Sequence, residues 1–189
     1  MHRIEAFITL ALIFIVILSI LYIPIFFVLR KRGVAALRQL SYFGLGCAII
    51  LTVFATLLFV LPDFSSLQRS FNLQPFQWLE AGGTSPQLLT EVIPNVMMFI
   101  PLGVFIPAVF ARLRKFQWAI LALFLTTLSI ELTQFVIGRA ADIDDIIANL
   151  LGGLIGFSLF ALANHLLRNK QAWKTFIGTN STDSDMAVN

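Results

Sequence analysis

Five stretches of this chain are almost free of charge. Residues 6–29, 39–62 and 92–111 hold no charged side chain, residues 116–138 hold only Glu131, and residues 146–167 hold none beyond a proton on His165. A bilayer core needs about 20 consecutive apolar residues as helix. Each stretch is long enough, and helix is the expected form because lipid offers the backbone no hydrogen-bond partners. The pattern therefore predicts an all-α integral membrane bundle of about five transmembrane helices. The first run is too long for the apolar region of a signal peptide, and no small-x-small cleavage site follows it. It reads as a retained helix.

Composition agrees with this pattern. The chain is 58% hydrophobic and 12% charged, about half the charged fraction usual for a soluble domain. The net charge of +3 says less than where the charges lie. Arg30, Lys31, Arg32 and Arg38, then Arg112, Arg114 and Lys115, then Arg168, Lys170 and Lys174 all fall on one side of a five-helix arrangement. Arg3, Arg69 and Arg139 fall on the other. Basic short loops stay in the cytoplasm, so the expected orientation is N-terminus out and C-terminus in. The clusters read as topology anchors, and the segments between helices are too short to build a nucleic-acid-binding domain. Cys47 is alone in a helix, which excludes a disulfide framework and suits a small packing residue. The chain divides into a first helix with its basic loop over 1–36, a membrane domain over 37–168, and a polar tail over 169–189 expected to be disordered in the cytoplasm.

Polar residues inside such helices carry most information, because they usually face the bundle interior or a water-filled cavity. Thr127, Glu131, Gln134 and Gly138 fall within about 60° of arc on the fourth helix. Asp142, Asp145, Asn149, Gly152 and Gly156 fall within about 80° on the fifth. The acids there sit at a helix N-terminus, which favours negative charge, and the two glycines form a small-xxx-small packing pair. Asp144 points away from that stripe and reads as a solvated loop charge. Asn95 enters the third helix from the same end, and Pro94, Pro101 and Pro107 give that helix three points of bend or weakness. Arg139, on the loop joining helices four and five, is the expected partner of one of the acids. The expected site is an outward-facing polar pocket between helices three to five. Trp78, Trp118 and Trp173, with Tyr22 and Tyr42, fit interface anchoring.

These residues resemble the signatures of the VanZ-like membrane proteins. Asn95-Val-Met-Met-Phe-Ile-Pro-Leu-Gly103 is similar to that family's N-x-x-x-F-x-P-x-G element. Glu131-x-x-Gln134, followed by Arg139-x-x-Asp142-x-x-Asp145-x-x-x-Asn149-x-x-Gly152-x-x-x-Gly156, resembles its longest signature. Asn72-Leu-Gln-Pro75-Phe76 in the outer loop is similar to a shorter N-L-x-P-F element, although an apolar residue is more usual where Gln74 stands. The resemblance spans roughly residues 70–157. It implies a multi-pass protein of the bacterial cell membrane, a role in the cell envelope, and a link to teicoplanin-type glycopeptide resistance. It implies no particular reaction.

Three functions fit these residues. In the first, the cluster binds or acts on a lipid-linked cell-wall or polysaccharide component. Glu131, Asp142 and Asp145 would carry the chemistry, and Asn72, Asn95, Gln134, Arg139 and Asn149 would hold the substrate. Arg139 suits a phosphate, and the hard oxygens of Asp142, Asp145 and Asn149 leave a divalent cation open as cofactor. In the second, the protein is a small lipid or solute transporter, a reading weakened by the one-sided cluster and the missing inverted repeat. In the third, it is a non-catalytic scaffold and the cluster only fixes helix packing. Asn72, Pro75 and Phe76 form either a lid over the site or an ordered turn.

Overall fold

The computed structural model describes residues 2–58, 70–77 and 88–179. The chain runs through α1 (His2–Lys31), α2 (Ala36–Val53), α3 (Ile93–Val109), α4 (Phe116–Val136), α5 (Ile143–Leu167) and the short α6 (Gln171–Ile177). Five of these are long and apolar enough to cross a membrane, as the hydropathy pattern predicts. A wider turn, Phe54–Leu58, extends α2, and another, Leu88–Val92, leads into α3. Two short strands, β1 (Phe71–Asn72) and β2 (Ala141–Asp142), pair in parallel and tie the loop between α2 and α3 to the start of α5. Arg69 and Trp78 lie outside the described residues.

The seam between α3 and α5 is the closest helix contact. Val96 backs onto Gly152, and Ile100 backs onto Gly156. The partners advance by four residues on both helices, so α3 and α5 run in the same direction, as two odd-numbered spans must. A Cβ at Gly152 or Gly156 would collide with the Val96 or Ile100 carbonyl. Small residues thus permit backbone-to-backbone packing, the main source of helix association where lipid competes for apolar surface. Beside this seam, Leu45 and Ala48 of α2, Phe99, Leu102 and Ile106 of α3, and Leu123 and Ile130 of α4 form the core. Helix α1 stands at the edge. Leu12, Val16, Ile20, Leu21 and Phe27 are all more than half exposed, and α1 is held by Phe14 against Phe54 and Tyr22 against Phe43.

Helix α3 runs unbroken through Pro101 and Pro107 and ends only after Val109. One expectation changes. Residues 171–177, expected within a disordered tail, form α6. Trp173, Phe176 and the buried Ile177 pack against Ala108 and Phe160, and Trp173 donates to Asn164 Oδ1 at 2.9 Å. A tryptophan that reads as an interface anchor is thus a docking residue.

Candidate functional site

Just past the end of α4, Gly138 makes a left-handed turn, with φ of 91°. Glycine takes this conformation at little steric cost. The Arg139 N–H then returns to the Gln134 carbonyl at 2.9 Å, the closure usual for such a helix end. The turn brings β2 back across the top of α4. There the Asp142 N–H donates to Glu131 Oε2 at 3.0 Å. Glu131 is 3% exposed, and this backbone amide is its hydrogen-bond partner among the described residues. Asp142 does three jobs in the same place. Its Oδ1 accepts from the Asp144 N–H at 2.8 Å and caps α5, a common stabiliser of helix starts. Its Oδ2 accepts from Asn72 Nδ2 at 2.9 Å.

Asn72 is itself paired with Gln77 in both directions, at 3.0 and 3.1 Å. Asp144 is the main correction to the sequence reading. It is 6% exposed, not solvated. Its two oxygens accept from the backbone N–H groups of Phe76 at 2.6 Å and Gln77 at 3.1 Å. The helical wheel correctly puts Asp144 off the stripe, but that side faces the 70–77 segment rather than water. Asn72, Pro75 and Phe76 therefore belong to an ordered turn pinned to α5. Phe71 stacks on Phe135 of α4, with ring centroids 4.2 Å apart.

Deeper in the bundle, Asn95 Nδ2 donates to Asp145 Oδ1 at 2.6 Å, linking α3 to α5. Asn149 Nδ2 donates to Thr127 Oγ1 at 2.9 Å, linking α5 to α4. Asn149 is fully buried, and its Oδ1 meets no donor. Gln134 and Arg139 both donate to one acceptor, the Thr56 carbonyl, at 2.9 and 2.7 Å. Arg139 therefore does not pair with an acid among the described residues. It lies near enough to Glu131 and Asp145 to act on them through space, while its hydrogen bond goes to the end of α2, where helix carbonyls lack intrahelical partners.

All eight expected site residues thus lie in one connected region where α3, α4, α5, the end of α2 and the 70–77 segment meet. Thr56, Gln77 and Asp144 join them. Thr56 acts through its backbone and Gln77 through a loop, so neither leaves a periodic signal. Among the described residues, no group of three or more Asp, Glu, His or Cys side chains is arranged to hold a metal ion. Cavities of about 510 and 350 Å³ lie elsewhere, between α1 and α2 and along α2 and α4.

Five candidate spans and one polar network concentrated at a single end of them define a multi-pass membrane protein. The sequence model of the VanZ/LLP1 family matches residues 10–164. Protein VanZ of Enterococcus faecium is 32% identical over 151 residues, which cover 78% of this chain and 83% of that protein. The chain belongs to the VanZ/LLP1 family. No solved structure is significantly similar to it.

Proposed function

We propose that the network around Glu131, Asp142 and Asp145 is an outward-facing site for a lipid-linked component of the bacterial cell envelope. By kinship with VanZ, the protein would alter susceptibility to teicoplanin-type glycopeptides. The observation that carries this reading is the burial of Glu131. A scaffold gains nothing from a carboxylate in a bilayer without a hydrogen-bonded cation, because burying an unpaired charge is costly. Arg139, half-buried beside the acids, supports recognition of a phosphate, which a guanidinium can hold with two hydrogen bonds. The excess of Lys and Arg at the opposite end supports placing this cluster outside and both basic loops and the C-terminus in the cytoplasm. The cell membrane is the compartment this orientation implies.

The test is teicoplanin susceptibility of a sensitive Gram-positive host expressing the protein, Glu131→Gln or Asp145→Asn at matched membrane levels. Glu131→Gln keeps an oxygen for the Asp142 amide, so the fold is retained. The expected result is protection by the unaltered chain and loss of protection in both variants. Equal protection by all three would make the network packing alone. No protection by the unaltered chain would remove the resistance role.

A further inference from the structure

The cleft between α1 and α2 lies at the opposite end from the acidic network. It measures about 510 Å³ and is lined by Tyr22, Ile23, Phe26, Gln39, Leu40 and Phe43, among others. Its walls are almost entirely apolar, with one anomaly. Gln39 is 1% exposed, yet its Oε1 meets no donor. Its Nε2 is committed to the Val34 carbonyl at 3.1 Å. Its backbone carbonyl accepts from the Tyr22 hydroxyl at 3.2 Å. A buried acceptor without a donor is rare in folded proteins and points to an absent partner. Gln39 is three residues into α2, about 5 Å from its start at the helical rise. That depth is where lipid headgroups give way to acyl chains.

Beyond the cleft, the last turn of α1 and the residue after it carry Arg30, Lys31 and Arg32. All three are exposed, and none makes a side-chain hydrogen bond among the described residues. Arg38 differs, because backbone carbonyls occupy its guanidinium. The surroundings thus offer an apolar slot, a single unmet acceptor at headgroup depth, and three uncommitted positive charges just outside. We propose that this cleft binds an anionic glycerophospholipid. One acyl chain lies between α1 and α2, the Gln39 side chain turns out of its buried position so that Oε1 accepts from a headgroup hydroxyl, and the phosphate sits near Arg30, Lys31 and Arg32. Charge draws the lipid in, and the hydroxyl-to-amide bond distinguishes a bound lipid from a passing one.

Native mass spectrometry of the purified full chain, titrated with phosphatidylglycerol or phosphatidylcholine of identical acyl chains, tests this. The first phosphatidylglycerol should bind at least tenfold more tightly. The preference should fall towards one in Gln39→Leu, in Ser19→Phe, which fills the cleft from α1, and in the triple variant Arg30→Gln/Lys31→Gln/Arg32→Gln. The triple variant alters exposed residues only, so it stays informative if Gln39→Leu does not fold. Arg168→Gln/Lys170→Gln, two exposed cations at the same end but away from the cleft, should leave the preference intact. An unaltered chain without preference overturns the proposal. So does loss in the triple variant with no loss in Ser19→Phe, which would mean diffuse charge attraction without a seat in the cleft. Loss in Arg168→Gln/Lys170→Gln would mean that any cation at this end serves, and would overturn it equally.

Discussion

Where α4 hands over to α5, the backbone offers N–H groups and the side chains answer with carboxylates. Asp142 and Asp144 between them take the amides of Asp144, Phe76 and Gln77, and Glu131 takes that of Asp142. Where α3 and α6 terminate, the backbone offers carbonyls and the side chains answer with guanidinium groups. Arg38 donates to the carbonyls of Ala108, Val109 and Phe176, at 2.8, 2.9 and 3.2 Å. Arg114 donates to those of Pro107 and Ile177, at 3.1 and 2.5 Å. Asp142 and Asp144 thus sit at the positive start of α5, and Arg38 and Arg114 at the negative ends of α3 and α6. The difference lies in what is left over. At the arginine end every donor named has a carbonyl, and Arg38 also lies 4.7 Å from the Tyr42 ring. Desolvation there, reinforced by Arg38, lowers the Arg114 pKa from its usual value. At the acidic end, Glu131 has only a backbone amide, Asn149 has an unmet oxygen, and no cation is bonded to an acid among the described residues. Arg38 and Arg114 are structural caps, and what is left over at their end is Gln39 Oε1, beside the cleft between α1 and α2. At the acidic end what is left over is acceptor oxygen, which is the basis of the proposed site.

The α3–α5 seam joins the two ends, and breaking it has the largest expected effect. Gly156→Leu places a side chain where the Ile100 carbonyl already lies. Overpacking of this kind costs about 3 kcal/mol or more when backbone blocks relief. The expected outcome is loss of monodisperse protein on size-exclusion chromatography, with both ends disrupted together. A well-folded variant would show that the seam can part without affecting either end.

Arg38→Ala comes next. It strips three carbonyls of a donor, and unsatisfied buried groups cost about 1–3 kcal/mol each before water enters. A loss of about 3 kcal/mol is expected, read as a lower thermal midpoint in detergent. Arg38→Lys should recover only part of it, because an ammonium lacks the planar fork that reaches several carbonyls at once. Full recovery would mean that charge alone holds this end.

The smallest effect belongs to Asp144→Ala. It removes two charge-assisted bonds, worth about 2 kcal/mol locally, without touching a packed helix face. Hydrogen exchange at Phe76 and Gln77 should quicken while α3 and α5 keep their protection. Unchanged exchange at those amides would show that the β1–β2 pairing, not Asp144, holds the segment.

The sequence by itself determined five spans, their polar stripes and the small-residue face of α5. Hydropathy and helical periodicity are local properties that add along the chain, so a charge-free run and a 100° repeat can be read without knowing the neighbours. The same logic brought Glu131, Gln134, Asp142, Asp145 and Asn149 to one end. Only the tertiary structure decided which group serves which. A helical wheel gives the direction of Asp144 but not what lies in that direction. Opposite charges suggest pairing Arg139 with an acid, yet the Thr56 carbonyl, which also accepts from Gln134, is its hydrogen-bond partner. Arg38 and Arg114 also serve helix-end carbonyls, and nothing local reveals that two helix ends from distant parts of the chain will meet beside them. A backbone carbonyl has no letter in the sequence, and its need for a donor becomes visible only when the fold has taken it out of water.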